Sequence, residues 1–322
     1  MCIATWVCPS SGPYAFVYAS NRDELVDRPT QRLGPMTDAK GRDLACLAGK
    51  DIQGGGTWLG TRRDGRFAAL TNFRSEKVAE QDQRHPAPGS TRGTLIVDAL
   101  SPTIPSVEES CQRIADEGDH FNGFSLVVGD LSHKPHPSIT STSNHGPNQH
   151  RVVRADVPDQ IYVLSNTSLD HDEHWPKMSY LRKGFSDIMS KIEKTSPAKV
   201  PHLAGQLFDL MQSDGPAEGE EVRSIGDLRQ HVCIRPIKLG GMGGIPSRPL
   251  SYATRTITLL ILERSDGPTA RLWMVERDIL AKEGMDHPYS WEIPLHEDHE
   301  TSYEIIPSPS WPPEMVRNWS TS

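Results

Sequence analysis

A chain of 322 residues, 36% of them hydrophobic, can bury a sizeable core in one large domain or two small ones. Its formal charge of −8 and pI of about 5.9 argue against a nucleic-acid scaffold and for an ordinary soluble protein. Mean hydropathy is −0.51 and no apolar run approaches the ~18 residues of a membrane span, which excludes a transmembrane helix.

In chain order, Ile3 to Val7 reads as a strand, Pro9 to Pro13 as a turn and Tyr14 to Ser20 as the returning strand. Leu25 to Lys50 is polar and broken by prolines, and reads as a loop over the site. Thr57 to Thr61 and Phe67 to Asn72 form a second hairpin about Arg63-Asp64-Gly65. Ser75 to Ser90 reads as an exposed loop. Thr94 to Leu100 is a helix, and Pro105 to Glu117 another, with Val107, Cys111 and Ile114 on one face. Phe124 to Val128 is a buried strand, Ser132 to Asn148 a loop or frayed edge, and Ile161 to Leu164 a strand ending at Ser165-Asn166. Met178, Leu181, Phe185, Ile188 and Ile192 predict an amphipathic helix, and Leu203, Leu207, Leu210 and Met211 the next. Ser213 to Glu221 is an acidic loop and Val232 to Arg235 a short strand. Leu239 to Gly244 is flexible. Tyr252 to Leu262 is a long strand that pairs with Arg271 to Val275 across Ser265-Asp266-Gly267. From Lys282 the chain is Pro-, Trp- and acid-rich, with one strand at Trp291 to Pro294. Antiparallel sheets covered by helices follow.

The first hairpin carries the sharpest chemistry. Antiparallel pairing places residues 20 to 23 beside Cys2. If Met1 is removed, the Cys2 thiol and the new α-amine share one carbon skeleton, and an amine of pKa about 7.7–8.0 can serve as the base for a thiol nucleophile. Arg22 and Asp23 then either flank that nucleophile or close the hairpin as turn charges. Cys2 itself is alternatively a small buried residue at a chain start. Asn72 and Asn166 end separate strands, where their amides donate to an oxyanion or cap turns. Arg255 sits in an apolar strand, so it should pair with a carboxylate or a ligand.

Met1-Cys2-Ile3 followed by Asn21-Arg22-Asp23-Glu24 resembles the NRDE, or transport and Golgi organization 2, family. Gly55-Gly56-Thr57-Trp58-Leu59-Gly60, Ala69-Leu70-Thr71-Asn72-Phe73, Arg92-Gly93, Phe121-Asn122-Gly123-Phe124, Leu164-Ser165-Asn166 and Thr254-Arg255-Thr256 follow in that family's order. The family is similar to cysteine N-terminal-nucleophile hydrolases. The resemblance implies an α+β, four-layer αββα sandwich of two antiparallel sheets in one domain over residues 1–281, and the Pro-, Trp- and acid-rich residues 282–322 read as a wrapping tail. It implies a site of Cys2, Arg22, Asp23, Asn72, Asn166 and Arg255 that converges in space. In those enzymes a strand-end Arg and Asp flank the nucleophile. Here Arg22 directly precedes Asp23, where they have spacing residues.

The activity so implied is Cys2-dependent hydrolysis of a non-peptide C–N bond, or acyl transfer, on a small acylated or amide substrate. Competing expectations are a non-catalytic carrier of haem, lipid or acyl-CoA in the same pocket, and a structural partner in membrane traffic. No cofactor is required; haem enters only as cargo. The resemblance links the chain to Golgi organization, secretion and mitochondria.

Five scattered cysteines, an odd count without CxxC, fit reduced thiols in the cytoplasm. The N-terminus has no basic segment or long apolar core and is not a secretory signal, so the sequons at Asn166 and Asn318 are expected to be unused. Cys2 is expected to react faster than Cys8, Cys46, Cys111 and Cys233, because Arg22 and Arg255 would lower its pKa. Gly54-Gly55-Gly56 is a turn, since no GK[ST] follows. His171 with His174, and His296 with His299, are metal ligands or solvated surface. Trp58, Trp175 and Trp291 line a pocket or pack the core.

Overall fold

The computed structural model describes residues 2–37, 43–73, 91–101, 106–147, 149–169, 175–192, 200–238, 251–280, 286–294 and 317–318. Its first strands are β1 (Ile3–Val7) and β2 (Tyr14–Leu25), an antiparallel pair in which Ile3 faces Asn21. β3 (Thr30–Thr37), β4 (Asp43–Asp51), β5 (Leu59–Arg62) and β6 (Arg66–Asn72) follow, then helices α1 (Arg92–Ala99) and α2 (Val107–Asp116). Next come β7 (Phe124–Asp130), β8 (Ser138–Ser143), β9 (Val153–Arg154) and β10 (Tyr162–Leu164), and helices α3 (Pro176–Lys191) and α4 (Val200–Gln212). β11 (Ile237–Lys238), β12 (Ser251–Glu263), β13 (Thr269–Asp278), β14 (Asp286–Pro294) and β15 (Arg317–Asn318) complete the order.

The first sheet runs β10-β1-β2-β12-β13-β14-β15, with β11 on the start of β12; the second runs β3-β4-β5-β6-β7-β8-β9. All pairings are antiparallel except β14 with β15. Period-two burial gives each sheet two apolar faces. Between the sheets, Trp6, Phe16, Tyr18 and Leu260 meet Leu47, Leu59, Phe67 and Val127. On the far face of the first sheet Ile3, Val17 and Ile257 pack under Met178, Phe185, Leu207 and Phe208 of α3 and α4. On the far face of the second, Ala68, Leu126 and Val128 pack under Ile96, Cys111 and Ile114 of α1 and α2. The layers are therefore αββα, as the resemblance implies. Helix starts follow local chemistry: Ser106 Oγ accepts from Glu109 N at 3.1 Å, and Pro176 opens α3 where no N–H is needed.

Three expectations fail. Leu25 to Lys50 is not a loop: it holds β3 and β4, whose ladder shifts register twice, so Leu33 and Met36 are buried three residues apart and no alternation shows. Ser132 to Asn148 contains β8, every residue of which is buried. Its polar residues are tolerated because Ser141 Oγ donates to Leu126 O (2.9 Å), Ser143 Oγ to Phe124 O (2.8 Å) and Thr140 Oγ1 to Cys111 Sγ (3.1 Å). Val232 to Arg235 is not a strand; the short strand lies at Ile237–Lys238. The strand expected at Trp291 to Pro294 begins earlier, at Asp286. Ser75 to Ser90 and Leu239 to Gly244 lie outside the described residues, as do both His pairs.

Candidate functional site

The hairpin register brings Cys2 to the Asp23 end of β2, where the Cys2 thiol lies 4.0 Å from Asp23 O. Ser165 Oγ, just past β10, donates to Cys2 O at 2.8 Å. Strand alternation then divides the four-residue motif between two faces. Asn21 points to the helix side, its Nδ2 donating to Met211 O (2.9 Å) and Val232 O (2.8 Å), so it ties the end of α4 to β2. Asp23, 3% exposed, receives Thr254 Oγ1 on Oδ1 at 2.6 Å. Arg22 turns toward the second sheet, and its guanidinium lies 4.1 Å from the centroid of the Trp58 ring. Arg22 Nη1 reaches Thr30 Oγ1 at 3.4 Å, and no carboxylate pairs with Arg22 among the described residues. Glu24 instead joins the Arg28–Asp51 pair at the rim, 3.8 Å from Arg28 Nε.

These side chains open on a cleft of about 290 Å³ whose walls include Cys2, Arg22, Asp23, Trp58, Asn72 and Arg92. Two glycines allow its shape. A Cβ on Gly56 would stand 2.2 Å from Gly93 C, and Thr57 N donates to Gly93 O at 3.2 Å. The β4–β5 connection and the start of α1 thus touch backbone to backbone, an approach that only glycine allows. Trp58 is held over Gly49, where a Cβ would lie 2.4 Å from the indole.

Asn72 lines this cleft, and its side-chain amide makes no hydrogen bond among the described residues. Asn166 does not line it: fully buried, its Nδ2 donates to Asn72 O at 2.5 Å and so fixes the end of β6 from behind. Arg255 is the extra residue of a β-bulge, since Thr254 faces Asp23 and Thr256 faces Arg22. Its Nη1 donates to Arg28 O and to Thr30 Oγ1 (3.2 Å), and it does not line the cleft. The expected carboxylate or ligand partner of Arg255 is replaced by the oxygens of the turn before β3. Cys2, Arg22, Asp23 and Asn72 are brought together; Asn166 and Arg255 support them at one remove.

Burial pushes the Cys2 thiol above its ordinary range, and the Asp23 charge adds to that, while Arg22 opposes it as a lesser influence. The expected lowering by Arg22 is thus outweighed, and Arg255 is not among the groups that act on the thiol. Cys2 is still the most accessible of the five cysteines, all unpaired; the other four are buried.

One residue of the site has no mark in the sequence. Lys177, in the first turn of α3, is fully buried, and burial pushes its ammonium down to about 8 against the opposing pull of Asp23 and Cys2. Trp175 flanks it, its ring 5.4 Å from Nζ. Thr254, not Arg255, is the residue of Thr254-Arg255-Thr256 that reaches Asp23. Among the described residues no group of three His, Cys, Asp or Glu could hold a metal, and no helix is long and apolar enough to cross a membrane.

The sequence pattern of the Transport and Golgi organisation 2 family matches residues 1–280. The chain belongs to that family. The chain is 28% identical over 291 residues to the "Transport and Golgi organization protein 2 homolog" of Bos taurus, covering 89% of this chain and 94% of that one. It is 27% identical over 300 residues to the Homo sapiens homolog, with the same coverage of 89% and 94%. Among solved structures, it is similar to the Caenorhabditis elegans N-acylethanolamine-hydrolyzing acid amidase ortholog, with a TM-score of 0.43 and 11% identity over 81% of this chain and 92% of that one. It is also similar to Anbu, an ancestral beta-subunit, from Yersinia bercovieri, with a TM-score of 0.35 and 10% identity over 92% and 88%.

Proposed function

We propose that this chain is a Cys2-dependent amidohydrolase of small acylated substrates, with acyl transfer to an amine as the variant of the same chemistry. The observation that carries the reading is the shared cleft: the Cys2 thiol opens beside the Asn72 amide and the Arg22 guanidinium, both with donors uncommitted among the described residues. A thiol held above its ordinary range is a poor nucleophile without a base. Removal of Met1 would supply one, the α-amine of Cys2, with Asp23 to hold the ammonium. Cys2 Sγ attacks the carbonyl carbon while the α-amine takes the thiol proton. Asn72 Nδ2 and Arg22 donate to the oxyanion, a type of contact worth about 3–4 kcal/mol per donor in the transition state. Collapse passes the proton from the ammonium to the departing amine and leaves a thioester on Cys2. Water, deprotonated by the same α-amine, then releases the acid.

The test is incubation of the processed chain, its N-terminus verified by intact mass, with a panel of N-acyl amides. An acyl adduct on Cys2 that is absent in Cys2→Ala and in a chain retaining Met1 is the expected result. No adduct and no product from any acyl class would overturn the reading.

A second reading rests on the raised Cys2 thiol. With Met1 retained, Cys2 is a neutral thiol and the same cleft suits carriage rather than turnover. Arg22 on the Trp58 face would then hold an acid group of haem or of an acyl-CoA lipid. Among the described residues no histidine lines the cleft, so Cys2, on losing its thiol proton, would be the axial ligand to a haem cargo. A Soret change on haemin titration that is lost in Cys2→Ala supports carriage; an identical response in both proteins removes Cys2 from it.

A further inference from the structure

A second cavity, of about 540 Å³, lies on the helix-covered side of the first sheet between the 214–222 loop and β11. His231 lines it. The side chain is 6% exposed, makes no hydrogen bond among the described residues, and neither ring nitrogen is sealed from solvent. Its polar edge therefore opens on the groove, where a group left without a partner is costly. Around it stand Asp214, Glu220 and Glu221. Asp214 is already committed to Arg235, at 3.1 and 3.2 Å, whereas Glu220 and Glu221 form no ion pair among the described residues. Among the described residues Lys238 is the one lining lysine or arginine not so engaged, and Val222 and Ile237 supply an apolar strip. Two uncommitted carboxylates, an imidazole and a short apolar wall match an ammonium on an alkyl chain. Burial first, then the Lys177 charge, pushes His231 down from its ordinary range against Asp214, Asp227 and Glu220, which leaves an imidazole nitrogen able to accept an N–H.

The segment that presents His231 is bonded to the candidate site. Val232 O accepts Asn21 Nδ2 at 2.8 Å. Ile234 N donates to Thr254 Oγ1 at 2.8 Å, and Thr254 N donates to Ile234 O at 2.9 Å. Thr254 Oγ1 in turn donates to Asp23 Oδ1 at 2.6 Å. Two hydrogen-bonded routes thus lead from the groove to the strand that carries Asp23, and Asp23 O lies 4.0 Å from the Cys2 thiol.

We propose that this groove binds a small organic ammonium, and that its occupancy alters the reactivity of Cys2 through the 231–234 segment, Thr254 and Asp23. No catalytic step is assumed, so the readout is alkylation of Cys2 rather than turnover, and its failure would leave the hydrolase reading standing.

The probe is putrescine, titrated into the full chain by calorimetry and followed by the rate of iodoacetamide labelling at Cys2. Saturable binding with a change in labelling of about 5-fold or more is expected, the lower end of ordinary site-to-site coupling. Both should disappear in the double variant Glu220→Gln, Glu221→Gln, whose side chains are exposed and whose fold should be kept. His231→Leu should weaken binding about 10-fold, one lost hydrogen bond to a charged group. Absence of saturable binding would overturn the proposal. So would binding that leaves Cys2 labelling unchanged, or a labelling response that survives in the double variant.

Discussion

Thr254 Oγ1 donates to Asp23 Oδ1 at 2.6 Å while accepting from Ile234 N at 2.8 Å, so one hydroxyl positions the buried carboxylate beside Cys2 and anchors the segment behind it. Thr254→Val should therefore cost about 2–4 kcal/mol of unfolding free energy, since the buried Asp23 carboxylate and the buried Ile234 N–H each lose a hydrogen bond. Thr254→Ser should recover most of it. Urea denaturation of the three proteins measures this; a Val variant as stable as the Ser variant would show that the hydroxyl does not hold Asp23.

Lys177 makes a prediction about alkaline pH. Its folded pKa of about 8 lies below the ordinary 10.5, chiefly through burial. Between those values the unfolded chain keeps the proton and the folded chain has lost it, so stability rises with pH through the window. The gain from this group is on the order of 3 kcal/mol, and it is absent below pH 8, where both states are protonated. Lys177→Met should lack that rise. Buried cysteines and tyrosines contribute the opposite slope, so the quantity to measure is the difference between the two proteins from pH 8 to 10.5.

Glu276 acts at the other end of the scale. It is buried on β13, its carboxylate accepts Leu33 N at 2.9 Å, and burial pushes it up to about 7 from an ordinary 4.5. Arg22, Arg32 and the Leu33 bond oppose the rise, and Asp278 adds to it. Here the folded pKa exceeds the unfolded one. The contribution is fully present below pH 4.5 and is lost as pH climbs through 7, again by about 3 kcal/mol. Glu276→Gln keeps an acceptor for Leu33 N and should remove that part of the pH dependence. Guanidinium midpoints at pH 4.5 and 7.5 for both proteins test it; parallel changes would place the dependence elsewhere.

What the sequence made legible follows from how local each cause is. The β1–β2 register is set by two apolar strands and a Gly-Pro turn, so Cys2 meets residues 21–23 as the pattern predicts. The helix faces of α2, α3 and α4 follow the 3.6-residue spacing of their apolar residues. β3 and β8 were hidden for opposite reasons: β3 is an irregular edge whose ladder slips, and β8 is buried through hydroxyls rather than hydrocarbon. A bulge cannot be seen in an apolar run, and this one turns Arg255 from the cleft to Arg28 O and Thr30 Oγ1 at the start of β3. Lys177 follows a proline at a helix start, where a lysine ordinarily faces water; only the packing of α3 on the first sheet buries it.

The last prediction concerns the backbone contact that shapes the cleft. A Cβ on Gly56 would lie 2.2, 2.4 and 2.7 Å from Gly93 C, O and Cα, and none of these is the end of a flexible side chain. Gly56→Ala must push the β4–β5 connection away from α1, at a cost of about 3 kcal/mol or more, the upper range for overpacking. Because Trp58 follows two residues later and stacks on Arg22, the same shift should move the indole. Gly205 is the control: it lies inside α4, and a Cβ there meets nothing within 4 Å. Gly205→Ala should stabilise the chain by about 0.5–1 kcal/mol, since alanine loses less backbone freedom in a helix. Denaturation curves give the two costs, and tryptophan emission in the native baseline, corrected with Trp58→Phe, reports the ring. A Gly56→Ala protein with wild-type stability and unaltered Trp58 emission would mean that the close approach of Gly56 to Gly93 does not shape the cleft.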